Sequence, residues 1–156
     1  MNFRASSSLP GDLQQQEGMD TSHFSIIDRE GNRVAATLSI NYPFGSGFVA
    51  EDTGVLLNDE MDDFSIKPGV PNVYGLVGGE ANAIEPGKRM LSSMTPTIVA
   101  KDGKPVLAIG TPGGRTIINT VLQVILNVVD FRMDVAQAVE AGRMIIVDPR
   151  RTKSAE

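Results

Sequence analysis

Two pairs of short β-prone runs, each split by a glycine-bearing turn, constrain this chain more than any other feature. Residues 23–28 and 33–40 flank Arg29-Glu30-Gly31-Asn32, and residues 97–100 and 105–109 flank Lys101-Asp102-Gly103-Lys104. Runs of this length joined by such turns read as β-hairpins. In 33–40, Val34, Ala36, Leu38 and Ile40 alternate with Arg33, Ala35, Thr37 and Ser39, which puts Thr37 and Ser39 on one strand face. The second hairpin leads through Thr111-Pro112-Gly113-Gly114 into residues 115–129, too long for a typical strand. There Asn119, Gln123 and Asn127 fall at i, i+4 spacing among Ile117, Ile118, Val121, Leu122, Ile125 and Val128. That pattern predicts a mostly buried helix with one polar stripe. A shorter helix over 135–141 follows Asp134 as its N-cap and ends near Gly142. The order β-β, loop, β-β, α-α predicts an α+β fold with helices packed on an antiparallel sheet.

Between the hairpins the chain reads as ordered loop, and residues 65–93 are dense in Gly, Pro and Asn. Long loops of this kind inside a compact domain are usually functional or disordered, and Val70, Val73, Tyr74, Leu76 and Val77 favour a packed, functional one. Residues 1–20 read as a flexible lead-in rich in Ser, Gln, Gly and Pro, without the apolar core of a signal peptide. The 156 residues are enough for one domain with a real core. A net charge of −5 argues against a general nucleic-acid or anionic-membrane partner. No stretch approaches the roughly 18 apolar residues of a membrane span. The absence of cysteine excludes disulfides, thiolate metal sites and a cysteine nucleophile, and a single histidine argues against a classical zinc site.

Four stretches are denser in reactive groups than a scaffold requires. Thr21-Ser22-His23 is either a polar loop running into a strand or a nucleophile site. A threonine hydroxyl needs an adjacent base, and the most compact solution is a chain-terminal threonine served by its own α-amine, so the catalytic reading requires cleavage between Asp20 and Thr21. Asn58-Asp59-Glu60-Met61-Asp62-Asp63 is either a solvated acidic turn or a site for a cation, calcium or a substrate ammonium. Ser92-Ser93-Met94-Thr95-Pro96 is a polar lead-in to a strand or a pair of hydroxyls for a carboxylate. Gly113-Gly114 is a strand-to-helix turn or an oxyanion hole built from free backbone N–H groups.

Taken together and in order, these stretches resemble the small, catalytic subunit of γ-glutamyltranspeptidase, an N-terminal-nucleophile hydrolase. The resemblance runs from about Thr21 to Arg143 and is carried by TSHFSIID, by SIN at 39–41, by GVLLNDEMDDFSIKPGVPNVYGLVGG, by PGKRMLSSMTPTIV and by GTPGG. It implies a half of the αββα sandwich of that superfamily, without a metal or organic cofactor. It implies that Thr21 is the nucleophile freed by autocatalytic cleavage after Asp20, with Ser39 bonding its amine. Asn41, Glu60 and Asp63 match residues that hold the α-amino group of a γ-glutamyl donor, and Ser92 and Ser93 match the pair on its α-carboxylate. Gly113 and Gly114 match the oxyanion hole. No catalytic role is carried over to His23.

The implied reaction is transfer of the γ-glutamyl group from glutathione or a related amide onto Thr21 as an ester. Water or an amino acid or peptide acceptor then releases it. The resemblance also implies a large subunit of the same precursor as partner, of which residues 1–20 look like the last piece. Residues 21–156 would be a small-subunit catalytic domain truncated at its C-terminus. AGRMII at 141–146 departs from the family pattern, so the match fades after Arg143. Bacterial relatives of this kind are exported, which implies a periplasmic or extracellular location by analogy. The readings that remain beside this one are an inactive remnant and a related amide acylase.

Overall fold

The computed structural model describes residues 21–72 and 75–145. The lead-in over 1–20 with Asp20, and Val73 and Tyr74 of the long loop, lie outside the described residues. Strands β1 (Thr21–Ile27) and β2 (Arg33–Ser39) pair antiparallel, as do β3 (Thr97–Lys101) and β4 (Lys104–Ile109). The first turn is locked by Asp28, whose carboxylate accepts from the Glu30 N–H (2.9 Å), the Asn32 N–H (2.8 Å) and the Asn32 amide (2.7 Å). In the second, Asp102 and Gly103 both take positive φ, the arrangement that a two-residue hairpin turn requires and that Asp-Gly supplies.

The single antiparallel sheet expected from the sequence is instead two two-stranded sheets among the described residues. The hairpins meet through side chains, not through a backbone ladder. The His23 ring lies so close to Gly110, at the end of β4, that a Cβ on Gly110 would fall on the ring. Substituting Gly110 by Ala is therefore expected to displace His23 and cost about 1–3 kcal/mol, the range for overpacking a filled site. Thermal unfolding would show it as a lower Tm. The loss should vanish in a His23→Ala background; equal losses in both backgrounds would rule out the contact as its cause.

The orientation of the first hairpin is unusual. Thr21, His23, Thr37 and Ser39 share one face and are half-buried, with the His23 ring turned to the second hairpin. The opposite face carries Phe24, Ile26, Val34 and Leu38, and these are exposed, Leu38 to 56%.

Helix α1 (Ile117–Val129) follows a 3-10 turn (Gly114–Thr116), and α2 (Val135–Glu140) follows Asp134. Asp134 caps α2 as expected: its carboxylate accepts from the Gln137 N–H at 2.9 Å, and the Gln137 side chain accepts from the Asp134 N–H at 3.3 Å. The expectation of a mostly buried α1 needs correction. Ile117, Val121 and Val124 are buried on one side, while Ile118 and Leu122 are about half exposed, at 51% and 52%. The reason is geometric: a 3.6-residue period splits the apolar residues into two stripes, and only one stripe meets packed neighbours among the described residues. The polar stripe does not face solvent idly. The Gln123 amide donates to the Met144 carbonyl and accepts its N–H, both at 2.7 Å, and the Asn127 amide donates to the Ala138 carbonyl at 3.3 Å.

The two loops are ordered by short ties. A 3-10 turn (Glu60–Asp63) closes the first, and another (Glu80–Asn82) sits within the second. Ser65 pairs with Ala83 in a parallel bridge, and the Ser65 N–H donates to the Asn82 carbonyl at 2.9 Å.

Candidate active site

Thr21 and Ser39 are directly opposed in the β1–β2 register, at the end of the hairpin away from its turn. Their hydroxyl oxygens are 2.9 Å apart. Ser39 Oγ also accepts from the Asn41 N–H at 2.9 Å. A serine hydroxyl has one proton to give and two lone pairs to fill. The Asn41 N–H fills one lone pair, and the Thr21 hydroxyl is the second partner, with either oxygen able to donate. Ser39 thus joins the threonine to Asn41, whose amide is tied to the acidic turn at the Asp59 carbonyl.

That turn forms one wall of a cleft of about 410 Å³ lined by Leu38, Ser39, Asn58, Glu60, Asp63 and Ser92, with Met90 and Met94. Burial pushes the Glu60 carboxyl above its ordinary range, and the neighbouring Asp63 charge pushes it further. Burial likewise raises Asp63. Oε1 of Glu60 is buried with no hydrogen-bond partner among the described residues. Two carboxyl groups that resist ionisation, one with an unfilled buried oxygen, suit a cationic guest that replaces lost water. Among the described residues, no cluster has the makings of a metal site.

Asp59 ties this turn to the end of β2. Its carboxylate accepts from the Tyr42 N–H (3.1 Å), its carbonyl from the Asn41 amide (3.5 Å), and its N–H donates to the Ile40 carbonyl (3.4 Å). Asn41 sits at φ 70°, a left-handed conformation that asparagine tolerates. Ser92 reaches the cleft, and its hydroxyl accepts from the Met94 N–H at 3.2 Å. Ser93 is half-buried and does not line the cleft.

Gly113 and Gly114 both take positive φ, at 134° and 52°, which a Cβ would strain. Thr116 returns both its N–H (3.0 Å) and its hydroxyl (2.8 Å) to the Gly113 carbonyl, which fixes the turn. No described group accepts from either glycine N–H. His23 is engaged elsewhere: Nδ1 meets the Thr37 hydroxyl at 2.9 Å and Nε2 the Ser25 hydroxyl at 3.0 Å, and burial lowers its pKa. It is a packed, neutral ring at pH 7.

The structure therefore brings Ser39, Glu60, Asp63 and Ser92 to one cleft with Thr21 beside it. Asn41 touches this group through Ser39, while Gly113 and Gly114 lie outside the lining. Asp20 lies outside the described residues. One residue of the site escaped sequence reasoning, and two were seen only as members of the acidic stretch. Asp59 was visible only as one acid among four, and Asn58 as the residue before it; Asn58 accepts from the Glu60 N–H at 3.0 Å and so caps the turn. Asn82 had no signal beyond being an asparagine in a loop, because its partners are backbone groups that only the fold brings near.

Comparison with known proteins gives the family. A family model described as Gamma-glutamyltranspeptidase matches residues 2–152. The chain is 58% identical over 134 residues to the glutathione hydrolase proenzyme of Escherichia coli strain K12, covering 86% of this chain and 23% of that protein. It is 48% identical over 124 residues to the proenzyme of the same name from Bacillus subtilis strain 168, covering 80% of this chain and 19% of that protein. Among solved structures, a mutant of Helicobacter pylori gamma-glutamyltranspeptidase superposes with a TM-score of 0.74 at 60% identity, over 78% of this chain and 65% of that one. The chain thus spans about a quarter or less of the length of these curated relatives. By the extent of the family match and by these identities, the chain belongs to the gamma-glutamyltranspeptidase family.

Proposed function

We propose that this chain carries the nucleophile and most of the donor site for γ-glutamyl acyl transfer. The observation that carries the reading is the Thr21 hydroxyl 2.9 Å from Ser39, beside a cleft walled by Glu60, Asp63 and Ser92. In the maturation step, Thr21 Oγ attacks the Asp20 carbonyl carbon. The peptide C–N bond breaks as its nitrogen gains a proton, and water hydrolyses the resulting ester. Asp20 is left as a carboxylate and Thr21 with a free amine, whose ordinary pKa of about 8 suits a general base.

In turnover that amine takes the Thr21 hydroxyl proton while Oγ attacks the γ-carbonyl of the donor. The Gly113 and Gly114 N–H groups face the oxyanion, where such donors contribute most. The amine then protonates the leaving nitrogen, and a γ-glutamyl ester remains on Thr21. Water or the amine of an amino acid or peptide attacks the ester and restores the threonine. Asn41, Glu60 and Asp63 hold the donor's α-ammonium, and Ser92 and Ser93 its α-carboxylate. Glutathione and other γ-glutamyl amides are the donors. No metal or organic cofactor enters these steps.

The partner is a large subunit of the same precursor, with which residues 21–156 complete an αββα sandwich, in a periplasmic or extracellular setting. Two exposed apolar surfaces support this: the Phe24–Ile26–Val34–Leu38 face and the Ile118–Leu122 stripe. The same surfaces favour the second reading, that the chain without such a partner is nearly inactive.

The native protein, with whatever large-subunit polypeptide it is made with, should release aniline from a γ-glutamyl anilide. N-terminal sequencing should find Thr21 as a new terminus. Turnover by an uncut chain would refute the threonine-amine mechanism, and absence of turnover with Thr21 exposed would refute the acyl-transfer reading.

A further inference from the structure

Asn82 is half-buried in the second loop, and its side-chain amide uses both ends. Nδ2 donates to the Asp63 carbonyl at 2.7 Å, and Oδ1 accepts from the Leu91 N–H at 3.0 Å. Its backbone is held as well: the Asn82 N–H donates to the Gly79 carbonyl at 3.1 Å, and its carbonyl accepts from the Ser65 N–H at 2.9 Å. Asp63 ends the acidic turn, and Leu91 directly precedes Ser92. One planar amide therefore spans the two walls of the 410 Å³ cleft, one presenting carboxyl groups and the other a hydroxyl.

We propose that Asn82 is a positioning residue that sets the spacing between the acidic turn and Ser92–Ser93, and with it the preference for donors bearing an ammonium and a carboxylate on one carbon. This rests on the functional reading above. An α-amino acid head presents its two charges at a fixed separation of a few ångströms, so both walls grip it only when their separation is equally fixed. An amide with its donor and acceptor on one rigid plane fixes it well. A residue that holds one wall alone leaves the other free to drift.

The test compares the native protein with its Asn82→Ala variant on a γ-glutamyl anilide and on the glutaryl anilide, which lacks only the α-amino group. Losing two hydrogen bonds, one part-buried and one exposed, each worth about 1 kcal/mol, should raise KM for the γ-glutamyl donor roughly 10- to 30-fold. The preference for it over the glutaryl compound should shrink by a similar factor. The kcat value and the rate of cleavage before Thr21, which do not depend on the grip, should stay within about threefold. If Asn82→Ala does not fold, Asn82→Asp, which keeps the Leu91 bond and loses the Asp63 one, carries the same readout. An active native protein whose variants leave KM and the preference unmoved sinks this inference alone. So does a variant in which kcat and self-cleavage fall in step with KM, since that is the mark of general loosening. An inactive native protein sinks the functional reading and this inference with it.

Discussion

Thr21→Ala is expected to abolish both turnover and self-cleavage, leaving a chain that still begins upstream of residue 21. Removing the nucleophile of an acyl-transfer site costs about 10⁴- to 10⁶-fold in kcat, because the remaining donors stabilise an oxyanion that no longer forms. On the proposed mechanism the loss is compounded, since the base is the amine of the same residue and an uncut chain never presents it. The measurement pairs an anilide assay with mass spectrometry of the intact protein. Thr21→Ser keeps the oxygen and the amine, so it should retain measurable cleavage and turnover. An alanine variant that still cuts itself, or that turns over at even a hundredth of the native rate, would move the chemistry elsewhere. The alanine change should be mild for folding, because Ser39 loses one 2.9 Å contact and keeps its bond from the Asn41 N–H.

Asp63→Asn should be the second largest effect. Truncating one partner of a desolvated charge pair costs about 2–5 kcal/mol, which predicts a fall in kcat/KM of roughly 30- to 5000-fold, carried mostly by KM. The sign of the pH dependence follows from burial, which raises both Glu60 and Asp63. As pH falls, these groups take up protons earlier than ordinary carboxyls do, the ammonium grip fails, and the donor's KM rises. For the empty protein the sign is opposite. A carboxyl raised in the folded state contributes stability at pH below its unfolded pKa, and that contribution is lost as pH rises through its folded pKa. At neutral pH the Asp63 charge is therefore a burden on the empty fold, and Asp63→Asn should melt no lower than the native protein while losing its donor. A variant that binds the donor normally, or that loses binding only by unfolding, would overturn this.

Much of the scaffold was legible because its signals are local. Asp102-Gly103 supplies two positive φ values whatever surrounds it, and Asp134 with Gln137 caps α2 from within four residues. The candidate residues were legible because the spacing of their motifs resembles that of a known family. What was not legible is what depends on partners far along the chain. Asn82 bonds residues 19 positions before it and 9 after it, and only the fold brings these together. Asp59 read as one more acid on a solvated or cation-binding turn, yet it faces the backbone at 40–42. Alternation along 33–40 separated two strand faces but carried no information on which one points inward. The single sheet failed for a related reason: two hairpins of good pattern do not dictate whether their edges join.

The inward turn of the Thr21–His23–Thr37–Ser39 face has a consequence for the strength of the bonds on it. A hydroxyl row sheltered by a second hairpin works in a medium of lower dielectric than bulk water, where each hydrogen bond is stronger and a misplaced one costs more. Flipped over, the same hairpin would pack Phe24, Ile26, Val34 and Leu38 against its neighbour in the manner of an ordinary core. It would then leave the threonine oxygen to exchange partners with solvent. This chain exposes its oily side and half-buries its polar side.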